Sequence, residues 1–270
     1  MMKRFIFSIF LLPLLLSSPQ TRAQGIMLTP KWTAQAQFTG YYVADKLGFY
    51  KEEGIDVCVQ HPAISESSFS FMEKGRTPVV IMNLSYAFME RLAGARVVNV
   101  MQTSQENSLM LISHSPLKGE ESLRNQKIAV WNHLSQKLLD RLAEHYALKQ
   151  VEWIRFNSGV NVFLSGAADP CLVGSYNEYL QLSEYGMNVD SIYSIRLADY
   201  GYNLPEDGLY VTEEFYNQYP EVVRKLVKAS MRGWAWANEH REEALDMVME
   251  EVKTVSYTHL RAHETDSYLV

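Results

Sequence analysis

Hydrophobic and polar positions along this chain alternate between two periods. Apolar runs of strand character cover 26–32, 55–59, 78–82, 97–101 and 109–112. Between them, apolar residues recur at helical spacing over 39–52, 66–74 and 85–93. Tyr42, Leu47 and Phe49 supply the apolar face of the first helix, Ser65 opens the second, and Gly54, Gly75 and Gly94 are the expected stops. A second series places strands at 127–131, 151–156, 171–173 and 191–197, with helices over 135–148, 160–164 and 177–185. A strand at 209–211 and long helices over 220–239 and 241–252 complete the pattern. Alternating β and α units predict the α/β class, with mostly parallel sheets flanked by helices. Two such series predict two lobes. Ligands of open parallel sheets sit at the carboxyl ends of the strands, so two facing lobes predict a cleft for a small solute.

Both ends of the chain stand apart from this pattern. Lys3 and Arg4 precede an apolar run over 5–16, and a small, polar exit follows over 17–23, with Thr21 and Ala23 at cleavage positions. Residues 1–23 therefore read as a secretory signal. The run is short for a membrane span, and no Cys follows it to carry a lipid. At the other end the apolar period stops near Ser256, where SYTHLRAHET resembles a translated sequencing-adapter read-through. Residues 255–270 are accordingly read as a non-native tail. His259 and His263 have the spacing of a helical metal pair, but in such a tail that spacing is accidental, and no metal site is expected.

Composition narrows the function. With 25 Lys and Arg against 31 Asp and Glu the net charge is −6. No basic block stands out, which argues against a nucleic-acid partner. The two cysteines, Cys58 and Cys171, are far apart in sequence. An exported chain could oxidise them, but two buried free thiols are the expectation. No GxSxG, HExxH, Walker or paired CxxC pattern occurs, and no cofactor is expected.

Two segments carry a family resemblance. KWTAQAQFTGYYVADKLGFYKEEGIDV at 31–57 resembles the opening of a family of periplasmic solute-binding proteins of ABC importers. That family includes binding proteins for thiamine pyrimidine precursors, alkanesulfonates and nitrate, and the fungal hydroxymethylpyrimidine phosphate synthases. YGYNLPEDGLYVTEEFY at 200–216 resembles a second family segment, followed by Gly233, Trp234, Glu242, Glu243 and Ala244 in the family's order. The look is closest to the thiamine-precursor branch. The resemblance implies a two-lobed type II periplasmic-binding-protein fold. Lobe I would comprise 24–112 and 209–254, its carboxyl end truncated, and lobe II would comprise 113–208.

Residues at the strand ends are the candidate ligand contacts. Trp32 offers a flat face to a heteroaromatic ring, and Gln35 and Gln37 offer amides, though Gln37 could equally cap the coming helix. Of Tyr41 and Tyr42 only one can point at the cleft, and Tyr41 is favoured because Tyr42 continues the apolar face. His61 ends the second strand and can donate to or accept from a pyrimidine edge. Asn83 either caps the next helix or contacts ligand. In lobe II, Tyr176, Asn177 and Glu178 resemble the family's aromatic-then-acid segment. Tyr176 would close a sandwich on Trp32, and Glu178 would accept from an exocyclic amine or simply favour a helix start. After Trp131 the chain reads Asn132, His133, Leu134, Ser135. No Gly-rich anion cradle is present there, which counts against sulfonate and phosphate ligands.

The expected function is extracytoplasmic solute binding for an ABC importer, with a small heteroaromatic such as a thiamine-precursor aminopyrimidine as ligand. The expected partners are that small molecule and the importer's membrane subunits, and the protein is expected to be a periplasmic monomer. A membrane-fused periplasmic sensor and a sulfonate or nitrate binder are the alternatives. Synthase chemistry is disfavoured: the resemblance implies a multi-cysteine segment there, and 166–175 holds only Cys171.

Overall fold

The structure, a computed structural model, describes residues 25–63, 66–118, 120–131, 139–140, 143–144, 150–157 and 159–266, with side chains as far as Lys253. The expected signal segment at 1–23, the stretch after Trp131 and most of the expected helix over 135–148 lie outside the described residues.

Two five-stranded sheets form the framework among the described residues. The first holds β1 (Ile26–Thr29), β2 (Val57–Val59), β3 (Val79–Asn83), β4 (Val97–Gln102) and, returning late in the chain, β10 (Asp207–Thr212). Its order is β2-β1-β3-β10-β4, with β10 antiparallel to both neighbours. Val79, Val80, Ile81 and Met82 are all buried, as a strand covered on both faces must be. The second sheet holds β5 (Leu109–Ser113), β6 (Lys127–Trp131), β7 (Glu152–Phe156), β8 (Cys171–Gly174) and β9 (Tyr193–Arg196), in the order β7-β6-β8-β5-β9.

The strand at 109–112, expected in lobe I, belongs to lobe II. It pairs with β8 and β9 and with no strand of the first sheet. Conversely Asp207 and Gly208, expected in lobe II, pair with Asn83 and Met82 of β3. The chain therefore crosses between lobes over 103–108 and again over 197–206. These two crossings are knitted together. The backbone amides of Thr103 and Ser104 both donate to the Asp207 carbonyl at 3.0 Å. The Asn107 amide donates to Asn203 Oδ1 at 3.0 Å, and the Asn107 side chain donates to the Tyr202 carbonyl.

The helix expected over 39–52 is two helices, α1 (Thr39–Lys46) and α2 (Phe49–Glu52), separated by Gly48 at φ 75°. That left-handed conformation is open to glycine at no steric cost. α3 (Ser68–Glu73) is opened by Ser67, not Ser65: the Ser67 hydroxyl accepts from the Ser70 amide at 3.1 Å. α4 (Leu84–Leu92), α5 (Asn161–Leu164) and α6 (Glu178–Glu184) follow their strands. α7 (Glu213–Gln218) was not expected from periodicity. Its signal is a cap, with Thr212 Oγ1 accepting from the Phe215 amide at 3.1 Å ahead of two acidic residues.

α8 (Pro220–Glu239) buries Val223, Leu226, Ala229, Ser230, Gly233 and Ala237 along one face. This face lies on α1 and α2, where the Tyr50 and Ser230 hydroxyls bond at 2.9 Å. A Cβ on Gly233 would meet the Gly40 carbonyl at 2.0 Å, and one on Gly40 would meet the Trp234 ring at 2.3 Å. Two glycines thus allow α1 and α8 to cross in backbone contact. α9 (Arg241–Asp266) buries Ala244 and Val248 and extends past 252.

Both cysteines are free, but only Cys171 is buried; Cys58 is exposed on the edge strand β2. Burial, and then Glu178 and Asp169, push the Cys171 thiol up to about 12. Since the thiolate is the nucleophile, Cys171 is inert at neutral pH. A maleimide should label one thiol per folded chain, at Cys58, and two after denaturation. Labelling of Cys171 in the folded protein would contradict its placement.

Candidate functional site

The carboxyl ends of β1, β2 and β3 and the start of β10 lie on one edge of the first sheet, because Asp207 stands opposite Asn83. On the second sheet the ends of β6 and β8 and the start of β5 share an edge, with Leu109 opposite Gly174. Trp32, His61 and Asn83 therefore follow strands on the first edge, and Trp131 and 175–178 lie on the second.

A chain of polar contacts links the two edges. Lys31 Nζ lies 2.5 Å from Asp207 Oδ1 and donates to Asn83 Oδ1 at 2.6 Å. Asp207 Oδ2 accepts from Gln37 Nε2 at 3.3 Å. Gln37 Oε1 accepts from the Tyr176 hydroxyl of lobe II at 2.7 Å. Gln37 thus lies in a short 3-10 turn, Ala36–Phe38, and does not cap the following helix. Asn83 occupies the N-cap position of α4 but makes no capping bond; its amide oxygen serves Lys31. Desolvation at this boundary, and then Glu206, Asp207 and Glu178, raise the Tyr176 phenol above its ordinary range.

Glu178 opens α6 and is 7% exposed. Oε1 accepts from the Trp131 indole at 3.2 Å, and Oε2 accepts from the Gly174 amide at 3.0 Å. This carboxylate ties the ends of β6 and β8 together and still has lone pairs to offer. Asn177, just before it, accepts from Gln181 Nε2 at 2.9 Å. Glu206 on the second crossing accepts from the Ser108 amide and hydroxyl at 3.0 Å. Three carboxylates and one lysine therefore surround the lobe contact.

The remaining sequence-predicted residues lie deeper. Tyr41 is 1% exposed and packs edge-to-face on Trp234 at 5.8 Å. Its ring belongs to the first core rather than opening on the cleft, as the first turn of α1 faces α8, while its phenol backs onto Thr103 and Asp207. Burial raises its phenol above the ordinary range. Tyr42 is equally buried, and its hydroxyl meets His61 Nε2 at 2.8 Å. His61 Nδ1 lies 2.5 Å from the Trp32 carbonyl. A carbonyl only accepts, so Nδ1 carries a proton, while Nε2 and the Tyr42 hydroxyl share the other bond. Both ring nitrogens of His61 thus hold the Trp32 loop in place. Trp32 itself is half-buried against the first core.

This two-lobed arrangement, with polar residues gathered on facing strand ends, has counterparts among known proteins. The family described as "NMT1/THI5 like" matches residues 35–244. The chain belongs to the NMT1/THI5-like family. A riboflavin-binding protein from Chloroflexus aurantiacus is 28% identical over 86% of this chain and 67% of that protein. A formylaminopyrimidine-binding protein from Halalkalibacterium halodurans is 23% identical over 98% and 84%. The matches also include fungal 4-amino-5-hydroxymethyl-2-methylpyrimidine phosphate synthases. Among solved structures, the periplasmic aliphatic sulphonate binding protein SsuA from Escherichia coli superposes with a TM-score of 0.65 at 14% identity, covering 88% of this chain and 82% of that one. The fold is the periplasmic-binding-protein fold.

Within this family fold, sequence reasoning missed Lys31, Ser108, Trp131, Glu206 and Asp207. Lys31 was legible as the neighbour of Trp32. Glu206 and Asp207 stand as an acidic pair inside the second family segment, and their meaning depends on β10 starting beside the end of β3.

Proposed function

We propose that this chain is the extracytoplasmic solute-binding component of an ABC importer, exported to the periplasm, and that its cleft takes a small planar nitrogen heteroaromatic such as a thiamine-precursor aminopyrimidine. The observation that carries the reading is the contact chain Lys31–Asp207–Gln37–Tyr176, which joins the lobes at the strand ends where solutes bind. The excess of carboxylates around it favours an amine-bearing ligand over an anion. The two binding-protein relatives support the same chemistry, since flavins and aminopyrimidines are both planar nitrogen heteroaromatics.

Lobe closure over the ring is the proposed mechanism. Trp32 supplies a stacking face from lobe I, Tyr176 closes from lobe II, and the Glu178 lone pairs read the exocyclic amine. Asn177 and Asn83 flank these contacts, and His61 holds the Trp32 loop. We read the protein as a binding protein rather than an enzyme. The riboflavin-binding and formylaminopyrimidine-binding relatives support that reading, and Cys171, the one cysteine of 166–175, is buried with a raised pKa.

A thermal-shift screen tests this reading. Hydroxymethylpyrimidine, formylaminopyrimidine, thiamine, riboflavin, taurine and nitrate form the panel. A true ligand at 100 times its dissociation constant should add about 2.7 kcal/mol, a rise of roughly 5–10 °C in Tm for a chain of this size. Trp32→Ala should weaken the pyrimidine by about tenfold, because stacking contributes about 0.5–1.5 kcal/mol beyond burial. Response to riboflavin alone would move the reading to a flavin, and response to taurine or nitrate alone would overturn it.

A further inference from the structure

Asp207 combines a pinned backbone with a nearly buried carboxylate. Its backbone is fixed by pairing with Asn83 and by the carbonyl bonds from Thr103 and Ser104. Gln102 Nε2 adds a bond to that carbonyl at 2.8 Å, and Thr103 Oγ1 another at 2.7 Å. Its carboxylate is 8% exposed and reaches Lys31, itself 21% exposed. An ammonium has three donors. Asn83 takes one, the Asp207 carboxylate faces the ammonium as its ion-pair partner, and a donor remains for a ligand.

We infer that Asp207 sets the charge specificity of the cleft: by pairing with Lys31 it turns a cation into a net-neutral hydrogen-bond donor, so that the site accepts an uncharged ring nitrogen or carbonyl and rejects oxyanions. An oxyanion reaching Lys31 would have to displace Asp207 or lie beside it. Neither is favourable, because the Asp207 carboxylate is held by Lys31 and Gln37 on a backbone that is itself pinned, and because Glu178 and Glu206 add like charge around the same Tyr176 hydroxyl. A neutral acceptor meets the third donor without that repulsion. The inference goes beyond the ligand reading above but rests on the cleft being the solute site. Arg155 is a second cation among the described residues, its guanidinium donating to the Trp131 carbonyl at 3.5 Å on the facing edge, and it must be separated from Lys31 in the test.

Asp207→Asn keeps the shape of the side chain and removes its charge. Sulfate and ethanesulfonate, titrated calorimetrically into wild type, Asp207→Asn and the double variant Lys31→Met/Asp207→Asn, are the probes. Circular dichroism checks folding. The expected result is at least tenfold tighter anion binding by Asp207→Asn than by wild type, lost again in the double variant. Equal anion binding by wild type and Asp207→Asn overturns the inference. A gain that persists in the double variant also overturns it, because the anion then uses Arg155 or another cation. Wild type alone supplies a measurement free of folding effects. A 4-aminopyrimidine-5-carboxamide should bind at least tenfold tighter than the matching 5-carboxylate, and a carboxylate that binds as well or better overturns the inference. The anion arm does not depend on a pyrimidine ligand. Pyrimidine binding without an anion gain defeats this inference alone, and an anion gain without pyrimidine binding defeats the ligand reading alone.

Discussion

Replacing Gly233 with alanine is expected to lower Tm by roughly 4–8 °C, about 2 kcal/mol at about 2–4 °C per kcal/mol for a chain of this size. The new Cβ would lie 2.0 Å from the Gly40 carbonyl and 2.9 Å from Ala44 Cβ. Both belong to α1, so relief requires the two helices to separate. Overpacking a core typically costs about 1–3 kcal/mol, and more where backbone must yield. Alanine's better helix propensity returns only about 1 kcal/mol. The separation would also strip Trp234 from Tyr41 and strain the Tyr50–Ser230 bond, which are neighbours in the same interface. A calorimetric melt checks this. A Tm within 2 °C of wild type, about 1 kcal/mol or less, would show that α1 and α8 do not touch in the way described.

Glu178→Gln is expected to reduce both stability and ligand affinity. The native carboxylate accepts from two buried donors, the Trp131 indole and the Gly174 amide. A glutamine offers one oxygen and one amino group, so one donor loses its acceptor. Leaving a buried donor unsatisfied costs roughly 1–3 kcal/mol, or about 2–12 °C in Tm. The sequence alone suggested a carboxylate that either reads ligand or favours a helix start. Its burial makes it a tie between β6 and β8 as well, so the two effects should appear together. Melting and calorimetric titration with the aminopyrimidine separate them. Unchanged Tm would show that the tie is not made, and unchanged affinity at lowered Tm would remove Glu178 from the ligand contacts.

The candidate site was legible in part, and the reason differs by residue. Trp32, Asn83, Tyr176 and Glu178 were read as candidate contacts because strand ends could be located from periodicity and ligands gather there, Tyr176 and Glu178 also from the family's aromatic-then-acid segment. Gln37 was found as a polar residue after a strand, but its partners lie 139 and 170 residues away. Tyr41 was favoured for the cleft and its ring lies in the first core, because helical periodicity gives relative faces, not which face meets a helix that enters from 180 residues later. His61 was found as a strand-end histidine, and only its two partners show that it supports the loop.

What the sequence by itself determined is the alternation of strands and helices, the two-lobed α/β class and the family. These follow from local period and short motifs, which act over a few residues. It also determined that Gly233 and Trp234 matter together, as a family element, though not why. Only the tertiary structure decided which lobe owns 109–113, because the apolar run fits either sheet and the choice lies in its pairing with β8 and β9. Tertiary structure also brought Lys31, Asn83 and Asp207 to one point. Their contact depends on β10 inserting antiparallel between β3 and β4, a long-range pairing whose register no local pattern encodes. The charge of the cleft is set there, where a carboxylate from the second crossing meets a lysine from the first strand's end.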